Sequence, residues 1–285
     1  MFTRTAGRAF TPEALVAAAT ALSASLLLVL TGSCSHSGSF VKESGSVVEE
    51  SGSFVEEFRS DRLDTSRWTV SDGWNNGLWQ GCTWSAKNVM PAEERLRLTV
   101  NDALQKDRGF SCGEVQSLAL YGYGVYEVRL RSIPGSGVVT AFFTYTGPPH
   151  GKSHEEIDFE FLGKRPTDVQ LNFFRNGRGG HEKMIPLGFD STGHVHDYAF
   201  VWKKDSVRWF VDGRQVHETR EDVPAAPAKI YLNVWIGGTF LHGWAGHFRY
   251  PGSPIDANIE RVAFTAEGDP CQFPGSLACQ VAHRE

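Results

Sequence analysis

Residues 154–163 read HEEIDFEFLG, and this stretch decides the fold. Acidic and apolar side chains alternate along it, in the order Glu156, Ile157, Asp158, Phe159, Glu160, Phe161. A period of two is the period of a β-strand, whose side chains point alternately to its two faces. The segment therefore predicts a strand that turns three carboxylates to one face and its apolar side chains to a core.

Most of the chain on either side of this segment has the same character. Short segments rich in β-branched and aromatic residues are bounded by Gly, Pro, Asn or Asp, at 95–100, 113–120, 124–133, 137–146, 168–176, 197–205, 206–219, 229–238 and 260–267. Asp212-Gly213 is a strong signal for a two-residue hairpin turn. Strands without alternating helices predict an all-β, antiparallel β-sandwich, in which one face of one sheet can form a concave substrate groove.

Composition excludes some classes of function. The chain has 285 residues, with 28 Lys+Arg against 33 Asp+Glu and a formal net charge of -5, which argues against a nucleic-acid partner because such proteins carry a basic excess. The aromatic fraction is 12%, with 8 Trp and 19 Phe, and 30 residues are Gly. Many aromatic residues and tight turns favour a β-protein with a surface on which sugars can stack.

The N-terminus predicts export. Residues 1–34 have a weakly basic start and an uncharged apolar run, which is typical of a signal peptide; a retained membrane anchor is the alternative. The run ends at LTGSC, so Cys34 is a candidate for lipidation and membrane tethering. Three seven-residue copies, SGSFVKE, SGSVVEE and SGSFVEE, follow from 37 to 57. We interpret 35–53 as a flexible acidic spacer and 54–285 as the catalytic domain of a secreted protein.

Four of the five cysteines lie beyond the export segment. They pair naturally as Cys82 with Cys112 and Cys271 with Cys279, since disulfides are permitted in an exported protein. No two of these four have the C-x2-C spacing of a zinc site.

The three carboxylates of the 154–163 segment repel each other if they share one bare surface, so their placement together predicts a function that needs them. Glycoside hydrolysis is such a function. One carboxylate attacks the anomeric carbon, and a second, kept protonated, protonates the leaving oxygen. On a flat strand the outer Cα atoms lie roughly 13 Å apart. Retention needs carboxyls about 5 Å apart, so the side chains must converge. The alternatives are a solvated acidic strand and a calcium site.

At these residues the sequence resembles glycoside hydrolase family 16, the group of laminarinases and lichenases. The segments that carry the resemblance are SDGWNNG (71–77), CTWS (82–85), YGYGVYEVRL (121–130), AFFTYTGPPHG (141–151), VQLNFF (169–174), NGRGGHEK (176–183) and LNVWIGG (232–238). They are similar to bacterial endo-β-1,3-1,4-glucanases, and the tail resembles the branch that depolymerises succinoglycan. The resemblance implies a concanavalin-like β-jelly roll and hydrolysis with retention of configuration.

The resemblance also implies roles for individual residues. Glu156 matches the nucleophile, Asp158 the assisting acid and Glu160 the general acid/base. Residues that match substrate-binding positions are Asn76, Glu114, Phe143, Tyr145, His154, Gln170, Asn172, Asn233 and Trp235. Three positions depart from the family pattern: Gln116 stands where Arg is frequent, His154 where lichenases have Trp, and Phe174 where they have Tyr.

The resemblance implies that no cofactor is required, and it leaves a structural calcium near Glu260 open, since the family holds one partly through a carboxylate on the last strand. We predict a monomeric, retaining endo-β-glycanase acting on β-1,3-1,4-glucan or a succinoglycan-like exopolysaccharide. Two alternatives stay open. One is a xyloglucan-type transglycosylase of the same fold, which shares the His at position 154, and the other is a carbohydrate-binding sandwich without catalysis.

Overall fold

The computed structural model of the chain describes residues 52–105 and 108–282. The predicted signal segment, Cys34 and the spacer up to residue 51 lie outside these residues, so export and tethering stay predictions. Among the described residues, no helix combines the length and the apolar character that a membrane crossing requires.

The described residues form short strands with two brief helices. The strands are β1 Phe54–Glu56, β2 Trp68–Val70, β3 Thr83–Trp84, β4 Val89–Ala92, β5 Arg95–Gln105, β6 Arg108–Cys112, β7 Glu114–Ser117, β8 Gly124–Arg131, β9 Val138–Thr146, β10 Glu155–Leu162, β11 Asp168–Phe174, β12 Lys183–Pro186, β13 His196–Lys203, β14 Ser206–Val211, β15 Arg214–Thr219, β16 Lys229–Ile236 and β17 Ile255–Ala266. The helices are α1 His242–Ala245 and α2 Leu277–Ala282.

The strands build two sheets. A ten-stranded sheet has the order β15-β14-β13-β8-β17-β5-β6-β3, with β1 beside β17 and β4 beside β5. A seven-stranded sheet has the order β12-β11-β10-β9-β16-β7-β2, which places the carboxylate strand β10 near its middle. In the described residues every pairing of named strands is antiparallel except that of β3 with β6. The predicted all-β sandwich is confirmed.

One continuous core lies between the sheets. Ile157 and Phe159 of β10 are fully buried, and Phe161 is 1% exposed, so the apolar side of the alternation faces inward. From the seven-stranded sheet, Phe142 packs against Phe200 of the other sheet, with ring centroids 5.6 Å apart. Each fully buried Phe contributes about 2–3 kcal/mol of hydrophobic stabilisation. This burial fixes the register of β10, because a slip by one residue would place the three acids in the core.

Two local predictions have different outcomes. Asp212 and Gly213 join β14 to β15 with φ of 47° and 73°, the left-handed pair that a tight hairpin turn requires. The strand predicted over 113–120 is shorter, since β7 ends at Ser117. The Ser117 hydroxyl accepts from Ile230 N and donates to Ala119 O, so it takes the place of the next rung of the ladder.

The described residues contain both expected disulfides. Cys82 and Cys112 close a separation of 30 residues, and Cys271 and Cys279 close one of 8. The second disulfide holds the segment that leads into α2, and Leu277 of that helix packs on Val125 and Phe210. The C-terminal helix thereby covers an apolar patch on the ten-stranded sheet.

Candidate active site

The three acids of β10 lie on the face of the seven-stranded sheet that points away from the core, which we call the front face. Cross-strand pairing sets their neighbours. Glu156, Asp158 and Glu160 pair with Phe174, Asn172 and Gln170 of β11, and on the other side with Tyr145, Phe143 and Ala141 of β9. The front face is therefore a grid in which each acid lies between a residue of β11 and a residue of β9.

Asp158 lies at the centre of the triad and is 3% exposed, so the triad is not a solvated acidic strand. Burial, followed by the charges of Glu156 and Glu160, raises the pKa of Asp158 well above its usual value. A hydrogen bond between the two side chains acts in the same direction, because protonated Asp158 donates to the Glu156 carboxylate.

Glu160 is held by an amide relay. Gln170 Nε2 donates to Glu160 Oε2 at 2.8 Å, and Trp244 Nε1 donates to Gln170 Oε1 at 2.9 Å. Burial, the charge of Glu156 and the charge of Glu182 raise the pKa of Glu160 to about 8, while the bond from Gln170 acts against them. Glu160 therefore keeps its proton at neutral pH, which a general acid must do.

Glu156 lies among rings and one basic group. His154 Nε2 is in direct hydrogen-bond contact with Glu156 Oε2. The His154 ring stacks on Phe174, with centroids 4.4 Å apart and planes at 17°, and meets the edge of Tyr145 at 5.1 Å. Burial and the Glu156 charge raise the pKa of Tyr145 to about 12, so its phenol stays protonated as a donor.

A second acidic position lies across the sheet on β7. Glu114 is 4% exposed and accepts hydrogen bonds from Ser71 Oγ at 2.6 Å and Asn233 Nδ2 at 2.9 Å. Burial raises the pKa of Glu114 to about 7, against these two bonds. The Asn233 Oδ1 atom is buried without a hydrogen-bond partner among the described residues, as is Asn172 Oδ1. Both oxygens are acceptors suited to sugar hydroxyls.

Gln116, where the family frequently has Arg, serves as an acceptor. Tyr231 Oη donates to Gln116 Oε1 at 3.1 Å, and Lys229 Nζ donates to the same oxygen at 3.3 Å. Tyr231 also stacks on Phe143, with centroids 4.9 Å apart. The basic group of this region is therefore Lys229 on β16.

The remaining expected positions divide into two groups. Trp235 lies on the front face beside Trp244 of α1, with ring centroids 5.8 Å apart. Asn76 lies outside the grid, on an exposed turn before β3, where its backbone N–H donates to Gln80 Oε1. The structure thus brings together on the front face every expected site residue except Asn76.

Sequence reasoning missed four residues of this region: Tyr231, Lys229, Glu182 and Trp244. Alternation along β16 would have found Tyr231 and Lys229, since both share the parity of Asn233 and Trp235. Trp244 belongs to a four-residue helix, and nothing in its local sequence predicts a bond to Gln170.

At Glu260, where the resemblance left a structural calcium open, the structure shows an ion pair. Glu260 Oε2 accepts from Arg129 Nε at 3.1 Å, so its carboxylate is occupied by a guanidinium. The cavity beside it is lined by four arginines as well as four glutamates. Among residues 52–105 and 108–282, no group of three or more His, Cys, Asp or Glu side chains converges as metal ligands.

Comparisons of the sequence with known proteins point to one family. The sequence profile described as glycosyl hydrolases family 16 matches residues 76–250. The chain is 45% identical over 223 residues to the endo-1,3-1,4-beta-glycanase ExoK of Rhizobium meliloti (strain 1021), covering 78% of this chain and 82% of that protein. It is 42% identical over 205 residues to a beta-glucanase of Paenibacillus polymyxa, covering 72% and 84%.

A solved structure agrees with the sequence comparisons. The beta-glucanase of Bacillus licheniformis superposes with a TM-score of 0.71 at 41% identity, over 75% of this chain and 98% of that one. The profile, the relatives and the fold agree, and the chain belongs to glycosyl hydrolases family 16 and is a glycoside hydrolase.

Proposed function

We propose that the protein is an endo-acting β-glycanase that cleaves internal β-linkages by double displacement, with Glu156 as nucleophile, Glu160 as general acid/base and Asp158 as the assisting acid. The observation that carries the proposal is the placement of Glu156 and Glu160 on one face of β10, where burial raises the pKa of Glu160 to about 8. A protonated donor and a potential nucleophile thus lie on one strand, as a retaining glycosidase requires.

The first step exchanges one bond at the anomeric carbon for another and transfers one proton. A Glu156 oxygen bonds to the anomeric carbon while the bond from that carbon to the leaving oxygen breaks. The Glu160 proton passes to the leaving oxygen, which departs as a hydroxyl of the released sugar chain. Asp158, protonated and bonded to Glu156, withdraws charge from the nucleophile's second oxygen and orients it.

The second step reverses these roles. Water enters in place of the released chain, and Glu160, now a carboxylate, takes its proton as the oxygen attacks the anomeric carbon. The ester bond to Glu156 breaks, which returns Glu156 as a carboxylate and Glu160 as an acid. A sugar hydroxyl could replace water, so transglycosylation uses the same residues and differs only in the acceptor.

The substrate we propose is a β-1,3-1,4-glucan or a succinoglycan-like exopolysaccharide. The relatives' names support the linkage class, and 45% identity to ExoK supports the bacterial branch. His154 lies beside the nucleophile where lichenases have Trp, and its ring is already stacked on Phe174. That site offers less free aromatic surface than a Trp would, which favours a substrate other than plain cereal glucan.

The test is chemical rescue. Glu156→Ala should lose activity on lichenan and succinoglycan, and azide should restore cleavage of an activated β-oligoglucoside as the α-glycosyl azide, because azide occupies the space of the missing carboxylate. Glu160→Ala with azide should give the β-azide instead. A β-azide from Glu156→Ala, or wild-type activity in that variant, would contradict the assignment.

We also propose that the protein is secreted and monomeric. The two disulfides support an oxidising compartment. Mass spectrometry of the mature N-terminus would show either cleavage after an export signal or a lipid on Cys34, and light scattering would give the oligomeric state.

A further inference from the structure

One lysine of the front face lies in the same row as the proposed nucleophile. Residues that pair across neighbouring strands form a row, and Glu156 pairs with Tyr145 of β9, which in turn pairs with Lys229 of β16. Neighbouring strands are about 4.8 Å apart, so two strand spacings, roughly 10 Å, separate Lys229 from Glu156. The expected sugar-binding residues lie on β11, β9, β16 and β7, so a bound sugar chain crosses the strands. A chain that crosses them at Glu156 passes Tyr145 and reaches Lys229.

The amine of Lys229 has no counter-charge. Its Nζ donates to Gln116 Oε1 at 3.3 Å, and within residues 52–105 and 108–282 it makes no ion pair with a carboxylate. Lys229 is half-buried, and burial lowers the pKa of its amine. An ammonium group that loses water without gaining an anion is destabilised, and an anion brought by a ligand offsets that cost.

The bond to Gln116 does not explain the burial of this charge. The same Gln116 oxygen already accepts from Tyr231 Oη, at the shorter distance of 3.1 Å. An ammonium group has three donors, and one of those of Lys229 meets this shared amide oxygen. The remaining donors are available to a bound molecule.

A second unsatisfied polar group lies near Lys229. The ring of His150 meets the edge of Tyr145, with centroids 5.7 Å apart, and its Nδ1 atom is buried without a hydrogen-bond partner in the described part of the chain. Burial and the charge of Lys229 lower the pKa of this imidazole. Two basic side chains therefore share one end of the groove, and each makes the charged form of the other less favourable.

Basic side chains in other parts of the protein are paired with acids. The side chains of Arg131, Arg175 and Arg261 are 23–27% exposed, and each bonds a carboxylate. Arg131 Nη2 bonds Asp256 Oδ2 at 2.8 Å, and Arg175 Nη1 bonds Glu155 Oε1 at 2.5 Å. Lys229 differs from these arginines in its lack of an acid and in its position within the proposed groove.

We propose that Lys229 binds a carboxylate substituent of the sugar chain, so that the enzyme selects a β-glycan with acidic substituents over the neutral glucan. The proposal rests on the proposed function and narrows its substrate to an acidic exopolysaccharide. Hydrogen bonds between an ammonium and a carboxylate are roughly twice as strong as those between neutral groups. The bound carboxylate also supplies the anion that the half-buried amine does not find within the described residues.

The bound carboxylate is separated from the nucleophile. Tyr145 lies between Lys229 and Glu156, and the distance of roughly 10 Å is about one Debye length at 0.1 M salt. Repulsion between the substituent and Glu156 is therefore weaker than the attraction of Lys229, which makes direct contact.

The test compares two forms of one polysaccharide. Lichenan and lightly carboxymethylated lichenan share a backbone, and the second carries added carboxylates. The measured quantity is the selectivity ratio, which is kcat/KM on the carboxymethylated form divided by kcat/KM on lichenan. Lys229→Met keeps a long unbranched side chain and removes the charge. We expect the selectivity ratio to fall about tenfold, as for loss of a hydrogen bond between charged groups.

Three controls separate charge recognition from a structural role. Lys183→Met removes the same charge from an exposed position on β12 and should keep the wild-type ratio. Lys229→Arg keeps the charge and should retain most of the selectivity. High salt should lower the ratio of the wild type and leave that of Lys229→Met in place, because screening weakens only the charged contact. A structural role of Lys229 would lower activity on both glucans alike.

The outcomes also separate this proposal from the proposed function. A wild-type selectivity ratio in Lys229→Met, or an equal fall in Lys183→Met, would overturn the carboxylate subsite while leaving the glycanase intact. Absence of wild-type cleavage of lichenan, its carboxymethylated form and succinoglycan would contradict the proposed function itself. Thermal melting checks that each variant is folded; should Lys229→Met not fold, Lys229→Gln serves in its place.

Discussion

Both outer faces of the sandwich carry acidic residues, but the neighbours of those residues differ between the two faces. We call the outer face of the ten-stranded sheet the back face. There, Arg129 Nη1 bonds Asp197 Oδ2 at 2.7 Å, and Arg129 Nε bonds Glu260 Oε2 at 3.1 Å. Arg131 Nη2 bonds Asp256 Oδ2 at 2.8 Å. These carboxylates on the back face have a guanidinium beside them.

On the front face the acids of β10 meet amides and rings. Asn172 and Gln170 flank them on one side and Phe143 on the other, and the basic group that touches the triad is His154. Burial without a guanidinium raises the pKa of both Asp158 and Glu160. On the front face these two carboxyls are neutralised by protons, whereas on the back face guanidinium groups neutralise the carboxylates. A proton held by a carboxyl can be transferred.

The comparison teaches that alternating acids on a strand do not by themselves mark a catalytic site. β8 and β17 also alternate charged and apolar residues, but their cross-strand neighbours complete ion pairs. Function depends on what the adjacent strands place opposite each acid. Three changes can break or sharpen this contrast.

The largest expected effect is on activity. Glu156→Gln and Glu160→Gln should each lower kcat by roughly 1,000-fold or more, because one removes the nucleophile and the other the proton donor. Glu260→Gln, which removes an acid from the back face, should leave kcat within about twofold of wild type, since it lies in an ion pair away from the front face. Steady-state assays on lichenan and succinoglycan provide the measurement.

Equal losses in the front-face and back-face variants would break the contrast. The cause would then be general unfolding, which circular dichroism at the assay temperature detects.

The next effect is on stability. The folded protein keeps Glu114 protonated up to a pKa of about 7, whereas its unfolded chain ionises near 4.5. The folded state therefore binds more protons between these values, and the stability that Glu114 contributes below pH 4.5 is lost as the pH rises through 7. In Glu114→Gln, the drop in unfolding free energy from pH 4.5 to pH 8.5 should shrink by about 3 kcal/mol. Urea titrations at both pH values measure it.

Asp158 and Glu160 act with the same sign, so some pH dependence should remain in that variant. Glu260→Gln is the control and should keep the wild-type drop. A Glu114→Gln profile identical to the wild type would show that Glu114 is ionised in the folded protein at neutral pH.

The smallest effect is on the back face. Arg129→Ala leaves Asp197 and Glu260 without this partner, and because these side chains are 35–46% exposed, the loss in unfolding free energy should be about 1 kcal/mol. High salt should reduce the loss by screening, and activity at pH 7 should not change. An activity loss larger than about twofold would connect the back face to the site and contradict the separation.

The period-two pattern was enough to predict the sandwich, the strand β10 and the common face of its acids. The Asp212-Gly213 turn was equally predictable, since few residues accept two positive φ values in succession. The partners of each acid could not be predicted from the sequence of β10 itself. They come from β9, β11 and the region of α1, which lie far away in the chain, and sequence alone gives no register between distant strands.

Glu182 illustrates the same limit. Its sequence context, GGHEK, carries no alternation, and its place in the row of Asp158 follows only from the pairing of β11 with β12. Glu260 is a second example, because its ion pair with Arg129 depends on a neighbouring strand and is not visible in its own segment. The residues that surround a carboxylate in the folded protein decide whether it forms an ion pair or holds a proton.

The most direct test of the central claim is to trap the covalent intermediate. An activated 2-deoxy-2-fluoro-β-oligoglucoside should inactivate the enzyme with a stoichiometry of one label per chain, and peptide mass spectrometry should find that label on Glu156. Inactivation should be absent in Glu156→Gln. It should persist in the control variant Lys152→Gln, which changes only the charge of an exposed side chain. A label on Glu160 or Asp158, or steady turnover of the reagent with no labelled peptide, would contradict the account.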